Sequence, residues 1–447
     1  MTRILAVLYF AATLAGADFK AGVARIDITP DGPIWMSGYA SRNHPSEGVV
    51  HQLWAKALAI EDAKSGRLVI VTTDLVGLPR AVTDVVAARV QKEYGLDRSR
   101  ILLNSAHTHT GPVVWPNLTM FILDESEERK LRMYSAQLTE KLVDVIEKAM
   151  GDLAPARIAY GHGTAKFAMN RRESTPRGVI LGVNPQGPVD YDVPVLRITS
   201  PDGTLRAVLF AYACHNTTLT GDFYKLSGDY AGFAEIEVER AHPGATALFM
   251  MLCGGDQNPY PRNTLDWAEQ HGKTLAAEVG RVLETKLDPV RPPLRTAYQM
   301  TDLRFAADTR DVFERELSNR NPARVRRAKL MLQLWDEGRP IRSVPYPVQG
   351  IQFGKDLTLL ALGGEPVVDY DLRVKKEFGA AKIVVAGYSN DVMCYIPSLS
   401  VLKAGGYEAD DSMVGYGQPG PFNEDVEETV FAAIRQVMKR IGRAPLR

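Results

Sequence analysis

Two histidines one residue apart, His107 and His109, follow the apolar run Ile101-Leu102-Leu103 and precede Gly111-Pro112. The run suits a buried strand, and Gly-Pro takes the chain out of it in a turn. If strand geometry persists to His109, both imidazoles point to the same side, because side chains two apart share a face. Paired imidazoles at a strand end suit a metal, or a ligand beside a proton-transfer group.

The arrangement recurs along the chain. Apolar runs at 207–213, 247–252, 357–362 and 382–387 end in Cys214-His215-Asn216, Gly254-Gly255-Asp256, Gly363-Gly364-Glu365 and Tyr388-Ser389-Asn390-Asp391. With the runs ending at Asp74 and His107, six strands each deliver a polar group at their C-terminal end. Glycine at such ends permits close backbone approach. The residues alone give His107, His109, His215 and Glu365 as candidate metal ligands. Two or three imidazoles with one carboxylate form the ligand set of a catalytic zinc site that keeps a position for water. Such Zn2+ lowers the pKa of water and polarises a carbonyl, so the indicated chemistry is hydrolysis. His44, His51, His162, His242 and His271 lack this placement and read as structural or surface residues.

The elements that position these groups alternate in type. Residues 22–30, 53–60 and 68–73 pattern as strands, while 81–94 and 125–150 have helical spacing. Helical patterns at 230–241, 265–286 and 371–378 follow the later apolar runs. A charged helical stretch at 310–338 is interrupted near Asn321-Pro322, and 423–441 reads as a closing amphipathic helix capped by Asn423. The expected fold class is α/β, with buried, largely parallel or mixed sheets flanked by helices. The active site is expected at the C-terminal ends of the strands. The Pro-rich stretch 289–293 is the best candidate boundary, yet strand-end chemistry lies on both sides of it. One catalytic domain over 18–447 is the simpler expectation.

Composition narrows the partners. The chain has 447 residues, 45% hydrophobic and 24% charged, with 53 basic and 53 acidic side chains. No basic field points to nucleic acid or to an anionic membrane surface. Residues 1–17 read as a signal peptide: Arg3, an apolar core, then Ala15-Gly16-Ala17. The expected location is secreted or periplasmic, with no transmembrane segment in the mature chain. Cys214, Cys253 and Cys394 sit in apolar contexts and read as buried free thiols. No Gly-x-Ser-x-Gly elbow supports a serine hydrolase.

Several motifs together carry a family resemblance. Gly22-Val23-Ala24-Arg25-Ile26-Asp27-Ile28-Thr29-Pro30 with Gly38-Tyr39-Ala40, and Ser105-Ala106-His107-Thr108-His109-Thr110-Gly111-Pro112, are the most specific. Asn170-Arg171, Cys214-His215-Asn216, Gly255-Asp256-Gln257-Asn258-Pro259 and Gly364-Glu365 add to them. The chain resembles the neutral/alkaline, non-lysosomal ceramidases, zinc amidases that cleave the N-acyl bond of ceramide to sphingosine and a fatty acid. The resemblance runs from about Gly22 to Tyr416. It implies one Zn2+ held by His107, His215, Glu365 and Tyr395. It implies His109 as a catalytic or substrate-orienting group, and Arg171 and Tyr407 at the developing oxyanion. Full-length ceramidases of this type carry a further C-terminal immunoglobulin-like domain, and the match here is to the N-terminal catalytic part without it.

The expectation is a zinc-dependent hydrolase of ceramide or a related N-acyl lipid. Two alternatives stand beside it: a secreted zinc amidase or esterase on a non-ceramide acyl substrate, and a catalytically silent binding protein of the same fold. A joint set of His107, His109, Arg171, His215 and Glu365 argues against the last, since binding alone does not need a full hydrolytic set.

Overall fold

The computed structural model describes residues 18–446 apart from 64, 65, 123, 307 and 308. The segment 1–17, read from the sequence as a signal peptide, lies outside the described residues. Among these residues, nine strands form one mixed sheet. Its path runs Thr246–Met251, Leu205–Tyr212, Asp192–Thr199, Ala154–Thr164, Phe19–Asp27, Trp54–Asp62, Arg67–Thr73 and Ile101–Ser105, with Asp288–Val290 beside Ala154–Thr164. Leu294–Arg304, Ser343–Phe353, Leu357–Leu362 and Ile383–Ala386 form a four-stranded second sheet.

Parallel pairing in these sheets is confined to three places. Arg67–Thr73 pairs with Ile101–Ser105, Leu205–Tyr212 with Thr246–Met251, and Leu357–Leu362 with Ile383–Ala386. Each pair is bridged by a crossover helix: Arg80–Tyr94, Asp229–Ala241 and Val368–Phe378 respectively. His107, His215 and Glu365 each follow a strand of one of these strand–helix–strand units, at the C-terminal edge where α/β sheets bind ligands. The other strand pairs of both sheets are antiparallel.

Alternation along the strands builds the layers. Leu58, Ile70, Leu102, Leu209, Ile351, Leu359 and Val384 point between the two sheets and form one core. The opposite faces pack under helices. Ala57, Val69 and Leu103 lie with Leu138 and Ile146 of Glu125–Gly151, and Val348 and Leu360 lie with Ile434 and Val437 of Val426–Arg440. Both strand faces are therefore buried, which explains the near-continuous apolar runs. At about 1.5–3 kcal/mol for each buried Leu, Ile or Val, this packing outweighs strand propensities spanning about 1 kcal/mol.

Boundaries shift where side chains are claimed elsewhere. The first strand is Phe19–Asp27, and the Asp27 carboxylate accepts from the Thr29 N–H at 2.7 Å, turning the chain early. Residues 310–338 form two helices, Arg310–Glu316 and Pro322–Asp336, broken where Asn321 caps the second. The closing helix is Val426–Arg440 with Asp425 at its N-cap position. Asn423 does not cap it: it lies three residues before the helix and meets it only through its carbonyl, which accepts from the Val426 N–H at 3.1 Å. The three cysteines are buried and free. No helix among the described residues is long and apolar enough to cross a membrane.

Candidate metal centre

The strand Ile101–Ser105 ends two residues before His107, which takes a left-handed φ of 63°. That region is costly for a residue with a Cβ and persists only when neighbours enforce it. The enforcing neighbours are the residues after the parallel strand Arg67–Thr73. The His107 N–H donates to the Leu75 carbonyl at 2.8 Å, and His107 Nδ1 lies 2.5 Å from the Val76 carbonyl. His107 and His109 are thus brought together by a turn, and the shared strand face expected from their spacing is not what aligns them. His109 is held separately. Its N–H donates to the Asn216 carbonyl at 3.2 Å, and its own carbonyl accepts from Arg42 Nη1 at 2.7 Å. Gly38, at φ 92°, packs so closely that a Cβ there would lie 2.3 Å from His109 Cγ.

His215 leaves the strand Leu205–Tyr212 and donates its N–H to the Gln257 carbonyl at 2.9 Å. Its Nδ1 lies 2.7 Å from the Gly254 carbonyl. Glu365 follows Leu357–Leu362 through Gly363 and Gly364, the latter at φ 64°. A Cβ on Gly255 would approach the Glu365 carbonyl oxygen to 2.7 Å, so the Gly-Gly steps do serve close backbone approach.

Among the described residues, the three ring nitrogens of His107, His109 and His215 lie within 4.8 Å of one another, and all three residues are buried. Glu365 Oε2 sits 2.9 Å from His107 Nε2 and 3.2 Å from His215 Nε2. It nevertheless has no hydrogen-bond partner. The backbone carbonyls of Val76 and Gly254 can only accept, so they fix the proton of each ring on Nδ1 and leave a lone pair on Nε2. Two lone pairs and a carboxylate oxygen then face one point. An unpartnered buried charge costs more than about 1–3 kcal/mol, and a cation removes that cost. The residues fit a metal. His109 differs from the other two: its Nε2 is 3.0 Å from His107 Nε2, but its buried Nδ1 has no partner. No carbonyl fixes its tautomer.

The remaining expected residues gather here too. Tyr395 stacks on His215 and its hydroxyl lies 2.9 Å from His215 Nε2. Arg171 Nη2 donates to that hydroxyl at 3.0 Å, and the guanidinium carbon lies 5.7 Å from the Tyr407 ring. Burial, the Arg171 charge and His107 push the His215 imidazole down to about 3. Burial, then His107 and His215, hold His109 well below its ordinary value. Burial also opposes the Arg171 charge, and Tyr395 and Glu408 more than offset it.

Two strand-end acids go elsewhere. Asp74 Oδ2 accepts from the Trp54 N–H at 2.8 Å, and Asp391 Oδ1 from the Arg80 N–H at 2.9 Å. Asp256 supports the centre indirectly: its carbonyl accepts from the Arg171 N–H at 2.9 Å, and its carboxylate from Val368 at 2.8 Å. Sequence reasoning missed Tyr416, which donates to Glu365 Oε1, and Glu408, which accepts from Arg171 Nε at 2.7 Å. It also missed Asn216 as a tie, whose side chain donates to the Ala106 carbonyl. None of these lies on a periodic element that would single it out.

A family model described as "Neutral/alkaline non-lysosomal ceramidase, N-terminal" matches residues 19–251. The chain belongs to this ceramidase family. The neutral ceramidase of Pseudomonas aeruginosa is 29% identical over 271 residues, covering 58% of this chain and 40% of that protein. The neutral ceramidase of Mycobacterium tuberculosis is 27% identical over 246 residues, covering 50% and 37%. The chain thus matches about two fifths of the length of these curated relatives. In three dimensions it resembles the crystal structure of the Pseudomonas aeruginosa neutral ceramidase with a TM-score of 0.73 at 20% identity, covering 96% of this chain and 76% of that one. That likeness establishes a shared fold for nearly the whole chain, including the part after residue 251.

Proposed function

We propose that the protein is a zinc-dependent amidohydrolase that cleaves the N-acyl bond of ceramide or a related N-acyl lipid. The observation that carries this is the convergence of His107 Nε2, His215 Nε2 and the unpartnered Glu365 Oε2 on one buried point. These three, with the Tyr395 hydroxyl, would hold the ion. When bound, zinc supplies a Lewis acid and a water of lowered pKa for attack on an acyl carbonyl.

The other groups divide the remaining work. His109, with no carbonyl fixing its tautomer, can carry a proton on Nε2 to the leaving amine. Its low pKa keeps it neutral until the reaction charges it. Arg171 and the Tyr407 hydroxyl stabilise the negative charge that develops on the acyl oxygen. Tyr416 and the carbonyls of Val76 and Gly254 keep the ligand side chains oriented, as outer-shell groups do at metal sites. The N-terminal segment 1–17 supports action outside the cytoplasm.

A cleft of about 790 Å³ is lined by Arg42, whose guanidinium also donates to the His109 carbonyl. Its wall mixes Trp35, Met120 and Phe121 with Asn43, Asp124 and Asn321. That mixture favours an amphiphile and keeps a second reading open: the same chemistry on an N-acyl compound more polar than ceramide. A fluorogenic ceramide assayed beside short N-acyl amines and esters, on zinc-loaded protein, separates the two. Preference for the long-chain amide supports the first reading, and turnover of short amides alone supports the second. Cleavage of esters without any amide turnover rules both out.

A further inference from the structure

Arg171 and Arg172 are consecutive residues of the strand Ala168–Thr175. On a regular strand their side chains point to opposite faces. Here the pairing with Gly178–Asn184 shifts register between Asn170 and Arg172, and both guanidinium groups reach one carboxylate. Arg171 Nε donates to Glu408 Oε1 at 2.7 Å, and Arg172 Nη1 donates to Oε2. Glu408 is fully buried, and the two arginines are 4% and 7% exposed. The outer arginine is tied further, donating through Nη2 to the Gly405 carbonyl at 2.8 Å. Irregularities of this kind re-aim side chains beside active sites.

Glu408 belongs to the π-turn Tyr407–Asp411, a form found mostly at functional sites. Its neighbour in the chain is Tyr407. One carboxylate therefore grips the Nε edge of Arg171 and anchors the turn that presents Tyr407. On its other edge Arg171 meets the Tyr395 hydroxyl at 3.0 Å and Asn258 Oδ1 at 3.2 Å. A planar guanidinium held on both edges has one orientation.

We propose that Glu408 is a positioning residue: through Arg171 and the Tyr407 turn it sets the pocket that receives the developing oxyanion, with Arg172 as its anchor. The inference rests on the reading of Arg171 and Tyr407 as oxyanion stabilisers. It assigns the carboxylate a role in rate and none in metal binding. Misplacement by about 1 Å costs up to about a hundredfold in rate, so even a shortened carboxylate should be felt.

The test compares zinc-loaded wild type, E408D and E408Q, alone and in an R171M background, with metal content and thermal melting recorded for each. E408D keeps the charge that balances two buried cations, so it stays informative even where E408Q unfolds. The expected result is full metal content in E408D, a fall in kcat of about tenfold or more, KM within about twofold, and no further loss in R171M. An unchanged kcat, or the same loss with Arg171 absent, would overturn the assignment. Binding of octanoate, a carboxylate product, measured by calorimetry reads the same pocket without turnover. Wild type that cleaves no amide defeats the proposed function. In that case a roughly tenfold weaker octanoate affinity in E408D still supports the clamp, and an unchanged affinity rejects it.

Discussion

The proposed division of labour between His107 and His109 rests on where their second ring nitrogens go. His107 Nδ1 is engaged by the Val76 carbonyl, and His109 Nδ1 has no partner. His107→Ala should therefore lose the metal, whereas His109→Ala should retain it and lose rate by about a hundredfold or more, read by elemental analysis beside kinetics. Loss of metal in both would make His109 a third ligand. A second prediction concerns His51, whose imidazole is pushed down to about 4 by burial and by Lys56. The unfolded chain takes up that proton near pH 6.5 and the folded chain only near 4. Stability from neutral His51 is thus present above 6.5 and lost as pH falls through that window, by about 3 kcal/mol. Urea unfolding at pH 7 and pH 4 should show the loss in wild type. His51→Gln, which keeps an acceptor for the Gly228 N–H, should show a flatter profile.

At the scale of elements, the apolar runs and their polar ends were legible because strands buried on both faces leave an unbroken hydrophobic signature. That placed His107, His215 and Glu365 just beyond the ends of Ile101–Ser105, Leu205–Tyr212 and Leu357–Leu362, each strand a member of a parallel pair. Asp74 and Asp391 obeyed the same pattern and went to backbone N–H groups, since the pattern marks strand ends without saying which end faces the cleft. Glu408 and Tyr416 were invisible because a π-turn and a four-residue helix carry no periodicity. Turn geometry is testable at Gly38: Gly38→Ala should push the His109 ring aside, keep the metal and lower kcat by about tenfold. Packing is testable at Gly22, where a Cβ would lie 2.0 Å from the Ala149 carbonyl under the helix Glu125–Gly151. Gly22→Val should lower stability by about 1–3 kcal/mol in urea titrations, with the metal site unchanged in the folded fraction.

Across the whole molecule, two sheets packed face to face position the candidate ligands. His107 and His215 follow strands of the nine-stranded sheet, and Glu365 follows the four-stranded sheet in the short strand Glu365–Pro366, which pairs in parallel with Tyr395–Ile396. The sheets, expected to be largely parallel or mixed, are mixed: within the two large sheets most pairs are antiparallel, and parallel pairing is confined to the three strand–helix–strand units. Periodicity could not distinguish these, because a strand buried on both faces looks alike in either pairing. A bound ion would bridge the two sheets, so it should stabilise the fold as well as enable hydrolysis. The most direct test is amide cleavage of a long-chain N-acyl substrate followed on one preparation as zinc is removed by a chelator and then restored. The account predicts one metal per chain, loss of cleavage on removal and recovery on restoration. Undiminished cleavage by the metal-free protein would contradict it.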